Sequence, residues 1–270
     1  MSKAIALLAA LVLMPLAAAA QPAPAEAPKP ISPSKIILVG DSTTAVVGGW
    51  GPSFCAYHVT SFAACVNLAR GGRSSGSYRA EGSWDVALGE MRTPGYRKIW
   101  VLIQFGHNDQ PGKPGRSTDL ATEFPANLAR YVDEARAAGA EPVLVTPLTR
   151  RIFKDGTLDN DLAPWAEVAQ RVAREKSVPL LDLNARSVAA VQAMGEAAAD
   201  RFAQLPPGSE PIQPAATTPA STEVSELPMA APRLSFDYTH LGREGADYFA
   251  AMVTRELAAA VPEMRPLLIP

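Results

Sequence analysis

The stretch "KIILVGDSTTAVVGGWG", residues 35–51, carries the reading of the whole chain. Its unbroken apolar run at 36–39 reads as a strand buried on both faces, and it stops at Gly40 in favour of Asp41, Ser42 and Thr43. Small polar side chains at such a strand end stand where open α/β sheets hold their ligands. Four more β-rich runs follow, "CVNLA" at 65–69, "KIWVLIQFG" at 98–106, "EPVLVTP" at 141–147 and "VPLLDLN" at 178–184. Helical patterns occupy 119–138 and 159–176, the second with Asp159 or Asn160 as cap and Pro164 in its first turns. Two others cover about 186–204 and the segment "REGADYFAAMVTRELAAAV". Strands alternating with helices predict an α/β fold, a doubly wound parallel sheet with helices on both faces and the site at the carboxyl ends of its strands.

Composition narrows the setting. At 270 residues and 47% apolar content the chain can bury one large core, and one domain is expected over 35–262, with 263–270 as a tail. The opening reads as a signal peptide: Lys3, an apolar run from residue 4 to about 18, and small residues before Gln21. Pro15 and the short length disfavour a membrane span, so a free, extracytoplasmic mature protein is expected. Residues 21–34 form a Pro/Ala linker, and 206–232 form a Pro-, Ala-, Ser- and Thr-rich insertion that reads as a lid or a disordered segment. Cleavage near residue 20 removes only Lys3 of the 25 basic residues, leaving a net charge of −3 against 27 acidic ones. That balance disfavours nucleic acid or an anionic membrane as partner. Cys55 and Cys65 are an even pair, able to close a small disulfide loop or to lie buried as thiols.

The chemistry gathers at strand ends. No Gly-Lys-Ser/Thr follows Gly40 and no G-x-G-x-x-G follows the strand, so phosphate cradling is disfavoured, and the G-x-S-x-G elbow is missing as well. A serine nucleophile needs an imidazole within hydrogen-bond reach and a carboxylate to orient it. Of His58, His107 and His240, His240 has Asp237 three residues upstream in one short loop, close enough for the carboxylate to accept from Nδ1 while Nε2 faces the serine. Acyl transfer also needs donors for an oxyanion. The Gly pair in "NLARGGRSSGSY" (67–78) and Asn108 in "QFGHNDQPG" (104–112) could supply them.

The blocks "GDSTTA", "NLARGGRSSGSY", "FGHNDQ" and "DYTHLGREGA" resemble those of the GDSL/SGNH hydrolases, most closely the rhamnogalacturonan acetylesterase branch, over about residues 36–256. The resemblance implies a three-layer, flavodoxin-like fold. It makes Ser42 the nucleophile, His240 the general base and then acid, and Asp237 the orienting carboxylate. Its oxyanion hole would comprise the Ser42 and Gly72 backbone N–H groups and the Asn108 side-chain amide. No metal or cofactor is implied, and the partner would be an acetylated polysaccharide. Two other readings stand beside it: a broad esterase or lipase-like enzyme on small acyl esters, and a glycan-binding protein without turnover. Among the neighbours, Asp41 is expected to brace its turn, His107 to pack beside the site and Asp109 to cap its own loop. Arg73, Tyr78, Trp50 and Trp84 could meet a sugar, although a solvated Arg, a half-buried Tyr and buried indoles are the plainer expectations.

Overall fold

The run at 36–39 is an interior strand of a five-stranded parallel sheet, paired on both sides. The computed structural model describes residues 31–209 and 236–270; residues 1–30 and 210–232 of the insertion, with the expected leader and most of the linker, lie outside the described residues. In chain order the elements are β1 (Ser34–Gly40), α1 (Gly51–Tyr57), β2 (Ala63–Asn67), α2 (Ser77–Ala80), α3 (Ser83–Met91), β3 (Ile99–Gln104), α4 (Glu123–Ala137) and β4 (Glu141–Val145). They continue with the two-residue strands β5 (Phe153–Lys154) and β6 (Thr157–Leu158), then α5 (Ala163–Glu175), β7 (Leu180–Leu181), α6 (Leu183–Met194), α7 (Glu196–Asp200), α8 (Arg243–Ala260) and a 3₁₀ turn, Pro262–Leu267.

Strand order is β2-β1-β3-β4-β7, all parallel, with β5 and β6 forming a separate antiparallel hairpin. This is the flavodoxin-like order, and its switch point lies between β1 and β3, which open a crevice at their carboxyl ends. Alternation along the strands feeds two cores. Ile36, Leu38, Trp100 and Leu102 pack with Phe54 of α1, Val191 of α6 and Phe249 and Val253 of α8. Ile37, Val39, Val101 and Ile103 pack on the other face with Trp84 of α3, Leu128 and Val132 of α4 and Val172 of α5. Lys35, buried in β1, is tolerated because its ammonium reaches Glu90 at 2.6 Å and lies over the Tyr96 ring.

Several expectations need correction. The helix expected over 159–176 begins at Ala163 with Leu162 as its cap residue and no side-chain cap. Asn160 bonds instead to Asn184, and Asp159 pairs with Lys154. The segment expected as one helix at 186–204 starts at Leu183, where the Asp182 carboxylate accepts from Ala185 N–H, and breaks in two at Gly195, whose φ is +80°. The last strand keeps only two residues, because Pro179 precedes it and Asp182 already caps a helix. Short α1, α2, α3 and the β5–β6 hairpin were not legible at all. The expected C-terminal tail packs into the fold: Met264 and Leu267 are buried, and the Leu267 carbonyl accepts from Thr60 N–H. Cys55 of α1 and Cys65 of β2 are joined in a disulfide, with Cα atoms 5.4 Å apart.

Candidate active site

Ser42 sits one residue beyond Asp41 in the turn that ends β1, and it is 8% exposed. The turn is held by others. Asp41 Oδ1 accepts from Thr43 N–H (2.9 Å) and Thr43 Oγ1 (2.8 Å), and the Asp41 carbonyl accepts from the amides of Thr44 and Ala45. Gln104, at the end of β3, accepts at Oε1 from Thr44 Oγ1 and Trp50 Nε1, both at 2.8 Å, and donates from Nε2 to Thr43 Oγ1. Trp50 N–H closes the loop onto the Thr43 carbonyl at 2.9 Å. Asp41 thus braces the turn as expected. Burial works to raise its pKa, but the facing His107 and the Thr43 donors win and hold it below the usual carboxylate range.

His240 and Asp237 come from the short loop before α8. The Asp237 carboxylate accepts from Thr239 N–H (2.8 Å) and His240 N–H (2.7 Å), and it faces His240 Nδ1 at 3.1 and 3.2 Å. Burial again opposes ionisation, yet these His240 and Thr239 contacts keep the Asp237 pKa well below its ordinary value. With Nδ1 turned to an ionised carboxylate, the imidazole keeps its proton there, which leaves Nε2 as the basic nitrogen. The ring rests on the loop of Ser42. A Cβ added to Gly48, whose φ is +85°, would lie 3.1 Å from His240 Cδ2, and Leu241 N–H donates to the Gly48 carbonyl at 2.8 Å. Only glycine lets loop and imidazole approach so closely.

The loops after β2 and β3 border the same crevice. Arg70 N–H donates to the Gly40 carbonyl at 2.9 Å, drawing residues 70–73 against the end of β1. Gly72 occupies a left-handed conformation at φ +75°. Asn108 spends one amide hydrogen on the Arg73 carbonyl at 3.1 Å, and an NH₂ group carries a second. Asp109 does more than cap its own loop. Its carboxylate accepts from Ser75 N–H, Ser75 Oγ and Thr118 Oγ1, tying two loops together, and burial pushes its pKa up to about 6. His107 is buried with Nδ1 at 3.4 Å from Asp41 Oδ2. Among the described residues no group of three or more His, Cys, Asp or Glu side chains could hold a metal ion.

The residues weighed for sugar contact have structural work instead. Tyr78 is fully buried rather than half-buried, because its hydroxyl donates to the Leu68 carbonyl and its ring packs beside Phe105. Arg73 pairs with Glu81 at 2.6 Å. Trp50 and Trp84 are buried, their indole N–H groups donating to Gln104 and Glu134. Sequence reasoning also passed over the loop after β4, whose Arg150 and Arg151 both reach the Asp237–His240 loop. The available signal was "TRR" at 149–151, two adjacent cations in the loop that follows a buried strand.

Residues 38–214 match the model of the GDSL-like Lipase/Acylhydrolase family. Two curated Bacillus subtilis proteins are similar. The probable rhamnogalacturonan acetylesterase YesY is 30% identical over 227 residues, spanning 82% of this chain and 90% of that protein. The rhamnogalacturonan acetylesterase RhgT is 35% identical over 191 residues, spanning 67% and 79%. Among solved structures, the YXIM protein of Bacillus subtilis superposes with a TM-score of 0.63 at 22% identity, over 86% of this chain and 58% of its own length. A catalytic mutant of Axe2, an acetylxylan esterase from Geobacillus stearothermophilus, does so with a TM-score of 0.52 at 17% identity, over 84% and 94%. These two share the fold. With the family match running from β1 through α7 and the two curated relatives aligned over most of the sequence, the chain belongs to the GDSL-like lipase/acylhydrolase family.

Proposed function

We propose that the protein is a serine esterase that removes O-acetyl groups from an acetylated polysaccharide. The observation that carries this reading is the Asp237–His240 pair, with the imidazole seated at Gly48 on the loop that bears Ser42. Ser42 Oγ attacks the acetyl carbonyl carbon while its proton passes to His240 Nε2. The carbonyl oxygen becomes an oxyanion, met by the Ser42 and Gly72 backbone N–H groups and the second Asn108 amide hydrogen. As the C–O bond to the sugar breaks, His240 returns the proton to the departing sugar oxygen, leaving acetyl-Ser42. Water then attacks that ester, its proton goes to His240, and acetate leaves with Ser42 Oγ reprotonated. Asp237, held ionised, keeps the imidazole in the right tautomer and stabilises it when protonated.

The curated relatives' names support the substrate class, and so does the surface beside the site. A cavity of about 480 Å³ lies against α2 and α4, lined by Ser77, Arg116, Thr118, Asn127 and Arg130 among others; it excludes the triad residues and borders the site through Arg116 Nη1, 3.5 Å from the Gly72 carbonyl. Hydroxyl, amide and guanidinium groups suit a glycan chain better than a long acyl chain. The leader read at residues 1–20 would place this activity outside the cytoplasm. The test is acetate release from acetylated rhamnogalacturonan, acetylated xylan and p-nitrophenyl acetate, with p-nitrophenyl octanoate alongside. Release from a polysaccharide, with acetyl preferred to octanoyl esters, is expected. Preference for octanoyl with no polysaccharide turnover would favour a lipase-like enzyme, and glycan binding without any turnover would leave only a binding protein.

A further inference from the structure

Arg151 follows β4 and is fully buried, an unusual place for a guanidinium. Among the described residues no carboxylate lies within ion-pair distance of it. Its Nη donors go to backbone carbonyls of one loop, while its buried Nε has no hydrogen-bond partner among the described residues. Nη2 donates to the carbonyls of Asp237 (2.9 Å) and His240 (3.1 Å), and Nη1 reaches that of Thr239 at 3.5 Å. The remaining carbonyl of the loop, that of Tyr238, accepts from Arg151's own backbone N–H at 2.9 Å. One residue therefore engages four consecutive carbonyls from Asp237 to His240.

The base beneath Arg151 is rigid. Thr149 N–H donates to Ser187 Oγ, Asn184 Nδ2 donates to the Pro147 carbonyl and Asn184 N–H to Thr146 Oγ1, so α6 fixes the loop after β4. Arg150 adds a contact from Nε to Thr239 Oγ1 at 3.3 Å, and its own guanidinium pairs with Asp161. Burial pulls the Arg151 pKa down to about 10 against the opposing charges of Asp237 and Asp200, and the side chain stays a cation at neutral pH. A buried cation without a paired carboxylate is costly unless it is hydrogen-bonded, and here both Nη groups spend their bonds on a single four-residue segment.

We propose that Arg151 is the positioning residue of the active site, a buried clamp that sets the backbone of residues 237–240 and through it the register of the Asp237 carboxylate against His240 Nδ1. This rests on the reading of Ser42, Asp237 and His240 as a triad. Arg151 touches neither substrate nor reacting atoms in this arrangement; it acts through the loop. Removing its side chain frees the carbonyls of Asp237, Thr239 and His240 to seek other donors, while the backbone bond to Tyr238 stays, and the imidazole drifts relative to Ser42.

The test compares Arg151→Lys and Arg151→Met with the wild-type full chain on p-nitrophenyl acetate. It reads kcat and KM separately, near-ultraviolet circular dichroism, and the downfield proton resonance of His240 Nδ1–H against Asp237. For Arg151→Met, kcat is expected to fall about 10²-fold, the scale of a 1 Å misplacement, with KM changed by less than about threefold and the downfield resonance lost. Arg151→Lys keeps the charge but not the fork of donors, and is expected to lose about tenfold in kcat. A merely structural role would lower the melting temperature and leave kcat per folded molecule and the resonance unchanged, and that result in either variant overturns the proposal. Should Arg151→Met fail to fold, Arg151→Lys decides alone. Ser42→Ala separates the two levels: activity surviving in it removes the triad reading itself, whereas an inactive Ser42→Ala beside a wild-type-like Arg151→Lys removes only the clamp.

Discussion

Gly48→Ala probes the contact between the loop of Ser42 and the imidazole of His240. The added methyl meets two costs. At φ +85° an L-residue is strained by about 1–2 kcal/mol, and for a domain of this size that lowers Tm by roughly 2–8 °C. The Cβ would also stand 3.1 Å from His240 Cδ2, 3.3 Å from its Cβ and 3.5 Å from Cγ. Carbon atoms pack comfortably at about 3.5–4.0 Å, so the ring must recede by a few tenths of an ångström. Scaled from about 10²-fold for a 1 Å misplacement, such a shift costs roughly threefold to tenfold in kcat. KM should hold, because no substrate contact is removed. Steady-state kinetics on p-nitrophenyl acetate and a thermal melt on the same preparation read both quantities. A variant with the expected fall in Tm but wild-type kcat would refute the idea that this contact sets the imidazole's position.

Asp237→Asn keeps an oxygen for the Thr239 and His240 amides but turns the imidazole to the wrong tautomer, so kcat should fall by about 10³- to 10⁴-fold with little change in Tm. Equal losses in kcat and stability would contradict that separation. Asp109, with a native pKa of about 6 raised by burial, binds its proton more tightly when folded than when unfolded. Its contribution is therefore complete below about pH 4 and is lost as pH rises through 6, by about 3 kcal/mol in all. The stability difference between wild type and Asp109→Asn should shift by that order between pH 4 and pH 7; parallel pH curves would count against it. Replacing both Cys55 and Cys65 with Ser should cost about 3 kcal/mol, the loop-closure value for an 11-residue ring, read by urea unfolding with the oxidised wild type as reference.

What the sequence disclosed followed from periodicity and spelling. Long apolar runs such as residues 99–104 have a single reading as buried strands, and the blocks after β1, β2 and β3 fall at the crevice that the parallel order demands. The two-residue β7 was overread because Val178 and Pro179 extend the apolar run without being able to continue the ladder. Residues 186–204 hid their break because a single Gly195 interrupts an otherwise Ala-rich helical pattern. Asp109 was misjudged because its partner Ser75 lies in another loop, and Tyr78 because the loop folds back so that its hydroxyl turns inward onto the Leu68 carbonyl. Arg151 was passed over because charge normally reads as surface, and only the folded chain brings the four carbonyls of 237–240 around it.

The nucleophile can be tested without knowing the natural polymer. Acid-quenching the enzyme during turnover of p-nitrophenyl acetate, followed by intact-mass measurement and peptide mapping, should find one acetyl group on Ser42 and none in Ser42→Ala. An acetyl group on another residue, or an unmodified mass with Ser42→Ala still releasing acetate, would contradict the assignment of Ser42 as the nucleophile.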